Sequence, residues 1–158
     1  MNHAEQRAND AILRWVTFRL DDQTYGVNVM QVQEVLRVWE IAPVPGAPDY
    51  VLGIINLRGN VVTVIDSRQR FGLAPKDADE ASRIVIIEVR KQVVGILVDS
   101  VSEVTELPQS AIEPAPSIGA EESSRYIQGV ANRDGGLLIL VDLDKLLTDE
   151  EWTEVTAV

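Results

Sequence analysis

Residues 50–66 read YVLGIINLRGNVVTVID, and residues 126–142 read YIQGVANRDGGLLILVD. At this offset of 76 residues, a Tyr, two Gly, an Asn and an Asp recur at the same places in both segments. An earlier pair repeats at an offset of 69, with QTYGVNVMQVQEV at 23–35 and QVVGILVDSVSEV at 92–104. The chain of 158 residues is therefore an internal duplication. Features that both copies share are expected to describe the fold, and features of one copy alone are candidates for function.

Each copy has the pattern of short β-strands joined by tight turns. The apolar runs are short, rich in Val and Ile, and end at turn sequences such as Arg58-Gly59-Asn60 and Asp134-Gly135-Gly136. Strands do not alternate with long helical segments, which disfavours a parallel α/β sheet. The pattern predicts an all-β protein made of two SH3-like five-stranded β-barrels. A copy of roughly 65 residues is near the lower limit for a self-sufficient core, so we expect the barrels to pack against each other.

The repeats set the expected boundaries. Residues 15–81 are expected to form the first barrel, residues 82–147 the second, and residues 148–158 an acidic C-terminal tail. Six of the seven prolines fall in the equivalent connections 41–49 and 107–124, which supports the duplication independently of the repeated identities. The second connection contains the seven extra residues that separate the two offsets.

Short helical segments are expected between some of the strands. The spacing of apolar residues predicts one helical turn within 28–38, and SRQRFG after Asp66 predicts another. Asp66 and Asp142 end equivalent strands, where capping of the next turn explains both better than a pair of catalytic carboxylates. Thr148 and Glu151 have the spacing of a capping box, so a helix is expected to begin near the C-terminus. Trp152 either anchors this last segment, or the final residues fray.

Composition excludes several classes of function. The net charge of −11 disfavours nucleic acid and anionic membrane surfaces as partners. The chain has no cysteine, and its one histidine is His3, outside the expected fold, so thiol and histidine catalysis lack their usual groups. The apolar run Leu137–Val141 is far shorter than a bilayer span, and the N-terminus lacks a signal pattern. We therefore expect a soluble cytoplasmic protein with no enzymatic activity, no cofactor and no metal.

Arg58 and Gly59 are the sharpest candidates for function. Asn56 and Gly59 are shared with the second copy, but the residues between them differ: Leu57-Arg58 in one copy and Arg133-Asp134 in the other. Asp-Gly is a common hairpin turn, whereas Arg-Gly is less expected. An exposed arginine offers a planar fork of donors to a partner's carboxylates or carbonyls. On these residues alone, a partner-binding role and an ordinary solvated turn are equally open.

Glu34 and Glu103 recur at one position, as do Val32 and Val101. The simpler interpretation is a solvated carboxylate beside a core valine. The exposed side of segment 28–38 is a second interpretation, as a docking face for a partner.

Several separated motifs resemble those of the CheW-like domain family. They are the run from Gly53 to Gly59 followed by Val64-Ile65-Asp66, the paired segments that begin at Gln23 and Gln92, and the terminal LLILVDLDKLL. The resemblance covers about residues 15–147, and with no kinase segment before it and no receiver domain after it, the chain resembles the stand-alone coupling members. One departure is Ser67, where the family often has leucine, and we expect weaker local packing there.

The resemblance implies a non-catalytic adaptor of bacterial chemotaxis that is recruited from the cytoplasm to membrane-associated receptor arrays. The implied partners are the cytoplasmic tip of methyl-accepting chemoreceptors and the regulatory domain of the histidine kinase CheA. The implied fold is two intertwined barrels, with receptor docking in an apolar groove between them and kinase docking at an end of one barrel. The partner-binding positions of the family map onto the following residues: Val32, Glu34, Arg58, Gly59 and Val104.

Other readings stay open on the sequence. A related scaffold in a non-flagellar chemosensory pathway would have the same motifs. An enzyme or a small-ligand barrel would need a polar pocket with convergent titratable groups. A nucleic-acid-binding barrel would have to bind against the net charge of −11.

Overall fold

The computed structural model describes residues 10–114, 125–133 and 135–157. The strands in these segments are β1 Ile12–Leu20, β2 Gln23–Asn28, β3 Val32–Arg37, β4 Val51–Leu57, β5 Asn60–Asp66, β6 Arg83–Val89, β7 Gln92–Val98, β8 Ser100–Pro108, β9 Ile127–Arg133 and β10 Gly136–Val141. The helices are α1 Ser67–Arg70 and α2 Asp149–Ala157, and single 3-10 turns occupy Val29–Gln31, Gln109–Ala111 and Leu143–Lys145.

The strands form two five-stranded sheets with the same internal order. Sheet A runs β8-β1-β2-β10-β9, and sheet B runs β3-β6-β7-β5-β4. Exchanging every strand for its repeat counterpart converts one order into the other. The all-β prediction and the pair of intertwined five-stranded units are confirmed.

The sheets do not coincide with the two copies, and here the structure differs from the expected boundaries. Sheet A takes its first hairpin from the segment 15–81 and its other three strands from 82–147, and sheet B does the reverse. The chain crosses between the sheets at Val29–Gln31 and again at Asp99. The exchange follows from size, because a unit of one copy would bury too little apolar surface to be stable alone.

Each sheet closes into a barrel through a short backbone bridge between one outer strand and the connection that follows the other outer strand. In sheet B, Ala42 and Ile54 exchange two N–H···O bonds of 2.9 Å, and in sheet A Glu113 and Val130 exchange two of 2.8 Å. The bridges need very close backbone approach. A Cβ atom on Gly53 would lie 2.2 Å from the carbonyl oxygen of Ala42, so only glycine fits there. The repeated Gly of the motif therefore permits barrel closure.

Three apolar clusters hold the molecule together. The largest, which we call the shared core, lies between the sheets and contains residues of both, among them Phe18, Tyr25, Val27, Val85, Ile87, Ile96, Tyr126 and Leu143. A smaller cluster fills each barrel: Trp15, Leu107, Ala131, Leu138 and Leu140 in sheet A, and Ile55, Val62, Val64, Ile84 and Ile86 in sheet B. The central strands are thus buried on both faces, which explains their continuous apolar runs.

The predicted caps are present. Asp66 Oδ1 accepts hydrogen bonds from the backbone N–H of Arg68 at 3.0 Å and of Gln69 at 3.3 Å, and Asp142 Oδ1 accepts one from Asp144 at 3.1 Å. Both aspartates therefore have the expected structural role. Ser67 is fully buried, and its hydroxyl donates to the carbonyl oxygen of Leu97, so its polar atom is satisfied.

The acidic C-terminal segment is a packed helix. Glu151 accepts from the Thr148 N–H at 2.8 Å, and its own N–H donates to Thr148 Oγ1 at 3.1 Å, as the capping box predicts. Trp152 and Val155 are buried in the shared core, so of the two alternatives Trp152 anchors the segment. Asp134 and most of the additional residues in 107–124 lie outside the described residues.

Candidate partner-binding surfaces

The shared core has an exposed margin where it reaches the outer strands β3 and β8. Four valines lie there at positions that are equivalent in the two copies, and we call them the valine edge: Val32, Val35, Val101 and Val104. Val35 pairs with Val85, and Val104 pairs with Val16. Paired residues share a face of a sheet, and Val85 and Val16 belong to the shared core. Because the core ends at these strands, Val35 is 39% exposed and Val104 is 54% exposed.

Two of the predicted site residues, Val32 and Val104, belong to the valine edge. They lie on different sheets and are not at equivalent positions. Val35 and Val101 complete the set, and the sequence reasoning did not select them as site residues. Their recurrence in the aligned repeat was the signal that would have found them.

Glu34 and Arg58, which are also predicted site residues, form an ion pair where the two margins of sheet B meet. Arg58 Nη1 donates to Glu34 Oε1 at 3.2 Å, and Arg58 Nη2 donates to Glu34 Oε2. The hydrogen bonds from Arg58 hold the pKa of the Glu34 carboxyl below its usual range. Since β3 and the β4–β5 hairpin lie at the two margins of the same sheet, the ion pair joins the edges that barrel closure brings together.

The turn that carries Arg58 has an unusual backbone. Arg58 and Gly59 have φ values of 51° and 89°, as in the two-residue hairpin turns whose central residues are both left-handed. Asn56 Oδ1 accepts from the Gly59 N–H at 2.8 Å, so the shared Asn is turn chemistry. A left-handed arginine is uncommon, because its Cβ crowds the backbone. The guanidinium therefore lies on a turn whose backbone is strained at Arg58 and is held by the hydrogen bond to Asn56.

Sheet A contains a counterpart of this ion pair. Arg133 Nη2 donates to Glu103 Oε1 at 2.8 Å, and Arg133 Nη1 donates to the hydroxyl of Thr105. Glu103 lies at a β-bulge, where its backbone exchanges hydrogen bonds with the Thr17 hydroxyl. The aligned sequences hid this pair, because Arg133 aligns with Leu57 and not with Arg58. The Arg–Glu pairing is thus shared, and the position of the arginine in the turn differs.

A mainly apolar groove of about 510 Å³ opens where the two margins of sheet B meet, and we call it the Trp39 groove. Its apolar lining residues are Leu36, Trp39, Ile55, Leu57 and Ile84, and its polar ones are Arg37, Glu40 and Asn56. Trp39 is 75% exposed. Leu36 follows Val35 directly in β3, and neighbouring residues of a strand point to opposite faces. The Trp39 groove and the valine edge are therefore separate surfaces of the same strand. The sequence reasoning missed this groove, and its only signal was a tryptophan beside the proline-rich connection 41–49.

Other chemistry is limited in the part of the chain that the structure describes. No group of three or more His, Cys, Asp or Glu residues there is placed to hold a metal ion. None of the helices in the same segments has the length and apolar character needed to cross a membrane. A second hollow of about 510 Å³ lies beside α1 and α2 and includes Arg70, Arg125 and Glu151. The Glu151 carboxylate is occupied by the capping box and by Arg70, with Arg70 Nη1 at 2.8 Å.

Comparison with known proteins gives a consistent result. A family model described as the CheW-like domain matches residues 14–151. The chain is 35% identical over 152 residues to the "Probable chemotaxis protein CheW" of Rhizobium etli, which covers 96% of this chain and 97% of that protein. It is 36% identical over 152 residues to the chemotaxis protein CheW of Rhizobium meliloti, with the same coverage of 96% and 97%. Among solved structures, the scaffolding protein TtCheW of Thermoanaerobacter tengcongensis superposes with a TM-score of 0.79 at 34% identity, covering 86% of this chain and 92% of that chain.

Proposed function

The chain belongs to the CheW-like domain family of chemotaxis scaffold proteins, and from this premise we propose that it couples chemoreceptors to the histidine kinase CheA. In this proposal the protein is an adaptor and not an enzyme. It binds the cytoplasmic tip of a methyl-accepting receptor and the regulatory domain of the kinase, and these contacts bring it from the cytoplasm to the receptor array.

The observation that carries the proposal is the valine edge. A receptor tip is a hairpin of helices, and an amphipathic helix docks by laying its apolar stripe on an exposed apolar surface. Val35 and Val104 pair with Val85 and Val16 of the shared core but themselves remain accessible to a partner. An added helix would therefore extend the core between the two barrels.

A separate surface is needed for the kinase. The Trp39 groove opens on the other face of β3, so a partner there would not compete directly with a helix on the valine edge. Its lining includes the exposed Trp39 and Arg37, and tryptophan and arginine are residue types that are enriched in binding hot spots. The Glu34–Arg58 pair lies close to both surfaces in sequence, and its charges would set the orientation of the partners.

Binding of each partner should be measured separately, with purified receptor-tip fragment and purified kinase regulatory domain. Val104→Glu places a charge on the valine edge and should weaken receptor binding by about 100-fold without affecting the kinase domain. Trp39→Glu should have the opposite selectivity. Ile12→Glu is a matched control, because Ile12 is an exposed apolar residue outside both surfaces.

The pattern of losses decides the proposal. Selective loss at each surface, with native binding by the control, supports two independent docking sites. If the wild-type protein binds neither fragment, or if Val104→Glu binds the receptor fragment normally, the proposed function is wrong. A scaffold of a non-flagellar pathway would bind the tips of other receptors in the same assay.

A further inference from the structure

Arg68 is a buried arginine at the centre of a polar network. Its side chain is only 9% exposed. Nη1 donates to Asp99 Oδ2 at 2.7 Å, Nη2 donates to Asp21 Oδ1 at 2.8 Å, and Nε donates to the Ala74 carbonyl oxygen at 2.8 Å. We call these contacts the Arg68 network. A buried guanidinium is retained at a high desolvation cost, and its fixed fork of donors specifies the geometry of its partners.

The network joins the two sheets at one crossover. Arg68 follows β5 of sheet B, whereas Asp21 lies in the β1–β2 turn of sheet A. Asp99 is the residue at which the chain leaves β7 of sheet B for β8 of sheet A. Its backbone N–H donates to the Arg19 carbonyl oxygen at 3.1 Å, and its Oδ2 also accepts the Asp21 N–H at 2.9 Å. One guanidinium thus holds the point from which β8 begins, two residues before Val101.

The equivalent crossover at Val29–Gln31 is built in another way. The counterpart of Arg68 is Asp144, and the counterpart of Asp21 is Arg90, so the charges are reversed. Arg90 does not reach the crossover: it donates to Asp149 Oδ1 at 2.7 Å and to the Asp144 carbonyl oxygen at 3.4 Å. The crossover there has a local cap, in which Asn28 Oδ1 accepts from the Met30 N–H at 2.9 Å. The Arg68 network therefore acts on the β8 half of the valine edge, and among the described residues no such network holds the β3 half.

We propose that Arg68 is a positioning residue for receptor docking: through Asp99 it sets the start of β8, and thereby the separation between Val101 and Val104 on one sheet and Val32 and Val35 on the other. This inference rests on the proposed function. A helix hairpin must contact both halves of the valine edge at once, so its affinity depends on that separation. Arg68 itself does not touch the receptor, since its guanidinium is enclosed by its own network.

The separation can be measured because the chain has no cysteine. Gln33 and Ser102 are exposed residues at equivalent positions beside the two halves of the valine edge. Spin labels on Gln33→Cys and Ser102→Cys report the distance between β3 and β8 by double electron–electron resonance. Receptor-fragment affinity is measured in parallel on unlabelled protein.

The variants separate positioning from general stability. Arg68→Gln removes the network, and Arg68→Lys keeps the charge but loses the fork of donors. Asp99→Asn weakens the same contacts while keeping the arginine, and it decides the matter if Arg68→Gln does not fold. Arg70→Gln is the matched control: Arg70 lies two residues away on α1, but its contacts are with Glu151 of α2, the Leu146 carbonyl oxygen and the Tyr50 ring.

We expect Arg68→Gln and Asp99→Asn to broaden or shift the distance distribution and to weaken receptor binding by about tenfold, with Arg68→Lys intermediate. Arg70→Gln should lower the melting temperature yet keep the native distance and the native affinity. An unchanged distance, or a changed distance with native affinity, overturns the inference. If the wild-type protein binds no receptor fragment, the proposed function fails, while the distance measurement still shows whether Arg68 holds the crossover.

Discussion

Arg58 combines a backbone that favours asparagine or glycine with a side chain that neither residue can replace. Its φ of 51° is left-handed, and its guanidinium pairs with Glu34. Arg58→Asn should keep the turn and remove the guanidinium, because asparagine tolerates this conformation, whereas Arg58→Ala removes the guanidinium and keeps the strain. We expect Arg58→Asn to unfold at the same urea concentration as the wild type or a higher one, and Arg58→Ala at a lower one.

Both substitutions at Arg58 should weaken assembly of receptor, adaptor and kinase by a similar factor, about tenfold. Sedimentation of reconstituted arrays measures this directly. Native assembly by Arg58→Asn would show that the guanidinium has no part in recognition. A lower stability of Arg58→Asn than of Arg58→Ala would contradict the account of the turn.

Gly53 tests how the barrels close. An alanine Cβ would lie 2.2 Å from the Ala42 carbonyl oxygen, where the backbone bridge of sheet B cannot yield without breaking. Gly53→Ala should reduce the free energy of unfolding by about 3 kcal/mol or more. Gly46→Ala is the control, since its φ of 79° is left-handed but nothing lies within 4 Å of the added atom, and it should cost only about 1 kcal/mol. Urea unfolding measures both, and equal costs would refute closure through this bridge.

At the residue scale the sequence predicted local chemistry better than pairing. The capping role of Asp66 and the turn at Arg58-Gly59 depend on neighbours in the chain, so they could be read directly. The ion pair between Glu103 and Arg133 could not be predicted in this way. Its arginine lies one residue earlier in the turn than Arg58 does, so the repeat alignment does not show the equivalence of the two ion pairs.

At the scale of the elements, the Glu151 carboxylate of α2 has two roles: it caps the start of the helix, and it accepts hydrogen bonds from Arg70 in another part of the chain. Burial alone would raise the pKa of Glu151, but hydrogen bonds from Thr148 and Arg70 outweigh it and lower the pKa below its usual range. A carboxyl whose pKa is lower in the folded than in the unfolded state stabilises the fold at pH values above its unfolded-state pKa. This contribution is lost as the pH falls through the folded-state pKa. The protein should therefore lose stability as pH drops from about 5 toward 3, with Glu151 as one source.

Glu151→Gln measures that contribution. At pH 7 it should cost about 1 kcal/mol through the weakened capping box and Arg70 contact, and the difference from wild type should shrink as pH falls. Glu150→Gln, on the same exposed first turn of α2, should leave the pH profile nearly unchanged. Chemical denaturation at several pH values provides the comparison, and parallel profiles for wild type and Glu151→Gln would contradict the assignment.

The existence of α2 could be predicted from the sequence, but its partners could not. Thr148 and Glu151 are three residues apart, so the helix start was a local pattern. Two contacts of α2 join distant parts of the chain: Trp152 packs in the shared core, and Glu151 forms an ion pair with Arg70. Their formation depends on where the sheets lie, which no local pattern states.

For the whole molecule, the duplication predicted the number of strands, whereas the intertwining of the two barrels was implied only by the family resemblance. The deciding contacts join distant segments: β2 pairs in parallel with β10, and β5 pairs in parallel with β7. Two separate barrels and two exchanged ones have the same local pattern. What favours the exchange is the shared core, because the central strands then bury both faces and each copy completes the other.

The exchange predicts how the chain behaves when it is divided. Cutting within the exposed linker 74–81 gives one fragment with β1 to β5 and another with β6 to β10. Neither fragment contains all the strands of one sheet, so neither should unfold cooperatively alone, and an equimolar mixture should recover the native circular dichroism spectrum. In a background of Trp39→Phe and Trp152→Phe, Trp15 of the first fragment is the only tryptophan, and it packs against Leu138 and Leu140 of the second fragment. Its fluorescence should therefore shift to the blue only on mixing, with a midpoint that depends on protein concentration. A first fragment that buries Trp15 by itself would mean that each copy forms its own barrel and that the exchange is not required for folding.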